Sequence, residues 1–352
     1  MKKKKRTSLI RIIYIIATIM AIVLIGFLDP SIKEMAGALK LFNLWWLFAC
    51  IISLLLYWLT DALLLHDITD YMYKKEPFIQ SVKVGLIGLY YCALTPSSSG
   101  GQPIQVVYMH RNKIPVGTST CIVCIKFVVY ELSLCSFYIV AMLIRGTYYY
   151  TYYNQVFWLT TLGFVINLIA VFFIILTLFN KKFVVKLGGG LIRLLSRFKF
   201  IKKKEQAIEN FEKTIDDYHT AAAYLSRYKL RAVGSFFISV INLAFLFIIP
   251  YFIYLAFGHT DRGLLEMLTM QAFLFIAVSF VPLPGSAGAS EGGFYLFFGS
   301  FFVNAPIYIA ILIWRFLTYY LMLIVGSILV VFDEVFTMRR LKREGGIDTV
   351  KN

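Results

Sequence analysis

Five ionisable side chains sit inside hydrophobic runs where a charge is unfavourable: Asp61, Lys126, Glu131, Glu291 and Arg315. A charge at mid-membrane costs roughly 2.5–3.5 kcal/mol on insertion scales, so such groups face a protein interior or aqueous cavity and find partners. Lys126 and Glu131 stand five residues apart, about 140° around a helix, and so do not pair with each other. The expectation is that Lys126 and Arg315 face one cavity with Glu291 countering one of them. Asp61, nearer a helix end, is expected in a structural ion pair. Two cations against few acids, beside helix N-termini, would suit a phosphate head group. No nucleophile–base constellation or nucleotide-binding glycine loop accompanies them, so no catalytic residue is assigned.

Two broken apolar segments must position these groups. VPLPGSAGASEGG, residues 281–293, interrupts a greasy run whose flanks are each only about ten residues long, too short to cross the roughly 30 Å of hydrocarbon. Pro282 and Pro284 donate no backbone hydrogen bond, and Gly285 and Gly288 tolerate almost any backbone angle, so the helix breaks there. PSSSGGQP, residues 96–103, does the same between two short apolar arms, with Pro96, Gly100, Gly101, Gln102 and Pro103 at its tip. Broken backbone at membrane depth is tolerated only where protein buries it or a polar cavity is lined by it. Paired breaks of this kind mark the substrate site of many transporters.

The chain has 352 residues, 59% of them hydrophobic and 15% charged, against about 25% charged in soluble domains. The predicted fold is an all-α polytopic membrane protein. About six full spans (12–28, 44–65, 118–144, 157–179, 232–257 and 307–332) and two re-entrant hairpins (84–110 and 266–303) form an inverted repeat. The first half covers 1–179 and the second 230–338. Between them, 180–229 is an amphipathic connector: 191–204 alternates apolar and basic residues, and Ile208, Phe211, Ile215, Tyr218, Ala222 and Leu225 form one helical stripe. The aromatic cluster 147–153 is expected at an interface, and 339–352 is a basic tail.

The net charge of +16 lies in loops flanking apolar spans, which is the positive-inside pattern and not a nucleic-acid footprint. Most of the 35 Lys and Arg residues fall on one side, placing both termini in the cytoplasm. The first apolar run lacks a small-residue cleavage site and is read as an uncleaved helix. Five cysteines lie in apolar segments as small hydrophobes, and four scattered histidines have no metal-ligand spacing, so neither metal nor cofactor is expected.

With these motifs in view, PSSSGGQP, VPLPGSAGASEGG and the final-span stretch WRFLTYYLMLIVG, residues 314–326, resemble those of the lysylphosphatidylglycerol synthase/flippase membrane-domain family, including the flippase half of the multiple peptide resistance factor. The resemblance implies a flippase in the bacterial cytoplasmic membrane, moving an anionic or aminoacylated phospholipid, or a polyprenyl-linked lipid. It adds Tyr319, in the tyrosine-containing helix after Arg315, to the candidate translocation residues. The sequence stops soon after its last span, so the aminoacyl-tRNA-dependent transferase domain of two-domain relatives is expected to be absent and the chain not to be an enzyme. Two alternatives remain open: a membrane subunit of aminoacyl-phosphatidylglycerol synthesis, with a separate transferase docking on the connector, or an ion-coupled solute transporter. A homo-oligomer is compatible with either.

Overall fold

Helix α1 (Leu44–Met72) begins where the Asn43 side chain accepts a hydrogen bond from the Trp45 backbone at 3.0 Å. The structure is a computed structural model that describes residues 42–152, 154–186, 188, 204–225, 228–302 and 307–348. The expected first span at 12–28, and all but the last residue of the basic stretch 191–204, lie outside these residues. After Pro77 comes α2 (Phe78–Leu94), which stops at Thr95. There the following proline holds the backbone extended, at φ −112° and ψ 146°. A turn leads into α3 (Gly101–Arg111), and the long helices α4 (Val116–Tyr152) and α5 (Asn154–Phe179) follow.

The connector helix α6 (Lys204–Leu225) buries Ile215, Tyr218 and Ala222 against α4, realising the middle of the apolar stripe. In the second half, α7 (Lys229–Phe247) and α8 (Ile249–Ala256) form one span broken at Pro250, which cannot donate to the helical ladder. Then come α9 (Leu264–Val278), a Pro/Gly turn, α10 (Ala289–Phe298) and α11 (Ile307–Arg315). A five-residue π-helical turn (Phe316–Tyr320) joins α11 to α12 (Leu321–Asp348). The stretch expected as a basic tail is therefore helical as far as Asp348.

Among the described residues five stretches are long and apolar enough to cross a membrane: Leu44–Met72, Val116–Ile144, Phe157–Phe179, Lys229–Ala256 and Ile307–Glu334. Their outward faces carry large apolar side chains such as Leu143, Phe172, Phe237 and Val331, all more than half exposed. A surface of that kind is stable against hydrocarbon, not water. The protein is an all-α polytopic membrane protein.

The halves run in opposite senses. Along α1 and α7–α8, Asn43 bonds to Ala256, Ser53 to Phe245, Asn242 to Tyr57, Ser235 to Asp67 and Arg231 to Asp70, so the two spans are antiparallel. The α2–α3 hairpin follows the end of α1 and the α9–α10 hairpin follows the end of α8. The hairpins therefore insert from opposite ends of the bundle. Each also packs on a span from the other half, α2 on α12 and α9 on α4.

Two apolar cores flank the middle. One gathers α8–α11 with the first part of α1, including Phe273, Phe294 and Phe298. The other gathers the last part of α1 with α2, α3, α4, α5 and α6, including Ile68, Ile87 and Ile114. Tyr149 departs from the expectation of an interfacial aromatic cluster. It is fully buried, with its ring edge-on to Phe273 at 4.7 Å, because α4 extends far enough to seal the α9 side of the core. Tyr150 is exposed.

Candidate functional site

The two Pro/Gly tips meet. Pro96 and Pro284 form an isolated antiparallel backbone bridge, and the turns on either side of it are built alike. In the first, Ser98 donates to Thr95 O and Ser99 to Pro96 O; in the second, Ser286 donates to Leu283 O and Ala287 to Pro284 O. The central residues all lie at positive φ: Ser97 at 50° and Ser98 at 54°, Gly285 at 58° and Ser286 at 49°. This is the pattern of a type I′ turn. Three of the four are serines, and each non-glycine residue there stores roughly 1–3 kcal/mol of strain, which persists only where surrounding structure enforces it. The shared signal is Pro-x-Ser-x-Gly, readable in both motifs as residues 96–100 and 284–288. A helix starts directly after each turn.

Arg315, the last residue of α11 and only 5% exposed, organises the second tip. Its Nε donates to Glu291 Oε1 at 2.6 Å and one terminal nitrogen donates to Gly285 O at 2.8 Å. The other carboxylate oxygen of Glu291 accepts from the Gly288 backbone at 2.7 Å. Glu291 thus caps the N-terminus of α10 with its own negative charge, where the helix dipole favours an anion. Tyr319 closes the cluster. The guanidinium lies 4.9 Å from its ring centre, its ring fills the space beside Gly285, and its hydroxyl donates to Ala93 O at 3.3 Å, at the end of the first hairpin's arm.

Lys126 is not brought to this cluster. Both carboxylate oxygens of Asp61 hold it, each at 2.8 Å, so the expectation of two cations in one cavity is corrected. So is the placement of Asp61, which lies well inside α1 and is 5% exposed. The pair borders the first hairpin, because Asp61 packs on Gly85 of α2. Each half therefore carries a buried acid–base pair beside its own hairpin. The rest of the first tip is held by close packing. The Gly101 backbone presses on Cys92, Gly88 on the Gln105 side chain, and the Gly100 N–H donates to Thr95 Oγ1 at 2.8 Å. Gln102 is half-buried; Pro103, Pro282 and Gly288 are exposed. Glu131 is buried in α4.

An open pocket of about 360 Å³ lies at the base of the first hairpin, lined by Lys74, Lys75, Glu76, Arg111 and Lys113 among others. It lies at the far end of α3 from the first tip, and four cations against one acid suit it to an anion. Among the described residues no cluster of His, Cys, Asp and Glu could hold a metal ion.

The profile of the family described as "Lysylphosphatidylglycerol synthase TM region" matches residues 12–326, which include both tips, Lys126 and Arg315. The chain belongs to that family. A fellow membrane protein, the UPF0104 membrane protein of Archaeoglobus fulgidus, is 25% identical over 288 residues, covering 79% of this chain and 84% of its own length. Within the lysylphosphatidylglycerol synthase TM family, then, this chain presents two opposed hairpins joined tip to tip, with one buried arginine fixed beside the joint.

Proposed function

We propose that the chain is a lipid translocase that moves a phosphate-bearing head group across the cytoplasmic membrane, both termini lying in the cytoplasm. The observation that carries this reading is the tip-to-tip bridge with Arg315 beside it. Two hairpins from opposite ends meet at an isolated backbone bridge, whose hydrogen bonds contribute only about 0.5–1.5 kcal/mol each. The tips can therefore part in either direction, which is what alternating access about a fixed central site needs. Family membership supports a role in lipid handling.

The chemistry follows from what Arg315 now holds. Glu291 supplies a carboxylate to the guanidinium and to the N-terminus of α10. A phosphate offers the same charge and acceptors in a geometry that arginine grips with two parallel bonds. A head group entering between the tips would displace Glu291 from one or both donors, while the acyl chains stay against the apolar outer faces. The basic pocket at the base of the first hairpin would gather anionic head groups. The chain itself performs no covalent chemistry in this scheme.

The test is exchange of fluorescent phospholipids of different head groups in liposomes, followed by dithionite quenching. Wild type should exchange a phosphate-bearing lipid with head-group selectivity, and Arg315→Ala should lose that exchange. Equal exchange by wild type and Arg315→Ala would refute the assignment of the site.

A further inference from the structure

Four acids in or bordering the described spans are paired with cations. Asp61 holds Lys126, Glu291 holds Arg315, Asp333 faces Lys83 and Arg111, and Glu266 faces Arg262. Glu131 differs. It sits at the middle of the apolar stretch Val116–Ile144, is 9% exposed, and its Oε2 accepts no hydrogen bond from any described residue. No lysine or arginine among the described residues forms a salt bridge with it.

Among the described residues its surroundings offer no free cation. On its own helix Lys126 is turned away and engaged by Asp61, and Tyr130 and Cys135 are neutral neighbours. From α1 the ionisable groups nearest this region are Tyr57 and Asp61, and from α2 Cys92. Helix α5 has no ionisable residue, α7 has only Lys229 and Arg231 in its first turn, and α9 has only Glu266 in its first turn. Helix α3 offers Tyr108, His110 and Arg111 in its last turns, and α6 meets α4 near Gly117, several turns from Glu131. An ionised carboxylate buried without a partner is far less favourable than the neutral acid.

We propose that Glu131 is a proton-carrying site that couples movement of the tips to the transmembrane proton gradient. In the tip-closed arrangement seen here the carboxyl holds its proton. When the bundle opens and water reaches α4, the O–H bond breaks, the proton passes to water and the carboxylate is left solvated; no other bond changes. The lone carboxyl, with no cluster of further acidic ligands among the described residues, suits a proton better than a metal cation, which needs several oxygens. The coupling rests on the translocase reading; the proton site does not.

Two measurements on the full-length protein test this. Dicyclohexylcarbodiimide modifies protonated carboxyls in apolar surroundings, and an unperturbed glutamate, titrating at about 4.3, is ionised at neutral pH. Peptide mass spectrometry near neutral pH should find the adduct on Glu131 and not on Asp61 or Glu291, declining as pH is raised. Glu131→Gln should remove it. Absence of the adduct in monodisperse protein would overturn the site. In liposomes, an imposed pH gradient should change the rate of fluorescent-lipid exchange by wild type but leave Glu131→Gln indifferent. An adduct without any gradient effect would overturn the coupling. An adduct with no lipid exchange at all would overturn the translocase reading and the coupling built on it, with Glu131 standing as a proton site.

Discussion

Replacing Asp61 by Asn leaves the Lys126 ammonium without its carboxylate in a site where the two side chains are 7% and 10% exposed. Removing one partner of a buried pair costs roughly 3–5 kcal/mol, because the remaining charge has lost its solvent and its counter-ion together. In a membrane this is an upper range, since lysine can reach toward the interface and recruit water. At 1.4 kcal/mol per tenfold, even the lower figure lowers the folded-to-unfolded ratio about a hundredfold. Removing both charges, as Asp61→Asn with Lys126→Met, leaves nothing uncompensated and is expected within about 1 kcal/mol of wild type. The assay is reversible unfolding in mixed micelles with increasing dodecyl sulfate, read by tryptophan fluorescence, on the four proteins of the double-mutant cycle. Lipid exchange by the same four adds a second axis: if the pair is architectural, the double variant regains stability and exchange together. A single Asp61→Asn as stable as wild type, or a double variant no better than the single, would refute the reasoning.

Three further outcomes follow from the geometry. Arg315→Lys keeps the charge but cannot reach Glu291 and Gly285 O from one planar group, so exchange should fall at least tenfold while Glu291→Gln with Arg315→Lys does no better. Gly285→Ala combines positive φ with a Cβ that would lie 2.1 Å from the Tyr319 ring, a loss of roughly 2–5 kcal/mol; Gly288→Ala, at φ 82° with nothing within 4 Å, should lose only about 1–2 kcal/mol, and equal losses by thermal denaturation would count against the packing. Asp261, in the turn before α9, has its carboxyl held below the usual carboxylate range, chiefly by the hydrogen bond from Tyr254 and then by its own backbone. Because the folded-state value is depressed, its contribution is present above the unfolded carboxylate pKa and fades as pH falls through the folded one. Tyr254→Phe should therefore flatten the acid limb of the stability profile and leave neutral-pH lipid exchange unchanged.

The helices and their breaks were legible because hydropathy and proline act locally. Pro96 and Pro284 break helices by denying a backbone donor, and no tertiary information is needed to see it, whereas the break at Pro250 falls inside an apolar run long enough to read as one span, 232–257. That Glu291 would counter a buried cation was legible too, but the sequence left open whether Lys126 or Arg315 was that cation; the structure pairs it with Arg315. The partner of Lys126 was not legible. Asp61 lies 65 residues away on another helix, and its depth in α1 depends on where that helix ends: it runs past Leu65, where the apolar run stops, to Met72. The bridge between the tips was invisible for a different reason: it joins backbone to backbone across the two halves, and side-chain patterning leaves no trace of such a contact. The common Pro-x-Ser-x-Gly was on the page, but only the matching positive φ angles give its serines a reason to recur.

The π-helical turn at Phe316–Tyr320 makes the last span a geared shaft. Upstream of it, Arg315 grips the second tip; downstream, Gly326 lies against Tyr90 and Ser327 Oγ donates to the Tyr90 hydroxyl at 3.2 Å, on the arm of the first hairpin. One residue more than an uninterrupted α-helix would use is stored between these grips. Each residue of an α-helix turns it by about 100° and advances it 1.5 Å, so the surplus sets how the two grips are phased about a common axis. If the surplus migrates along the shaft, the downstream face rotates while the upstream one stays clamped. In the translocase proposed above, a pull on one tip would then reach the opposite hairpin as torsion, and the two ends of the molecule would not need to be told separately which of them is to open.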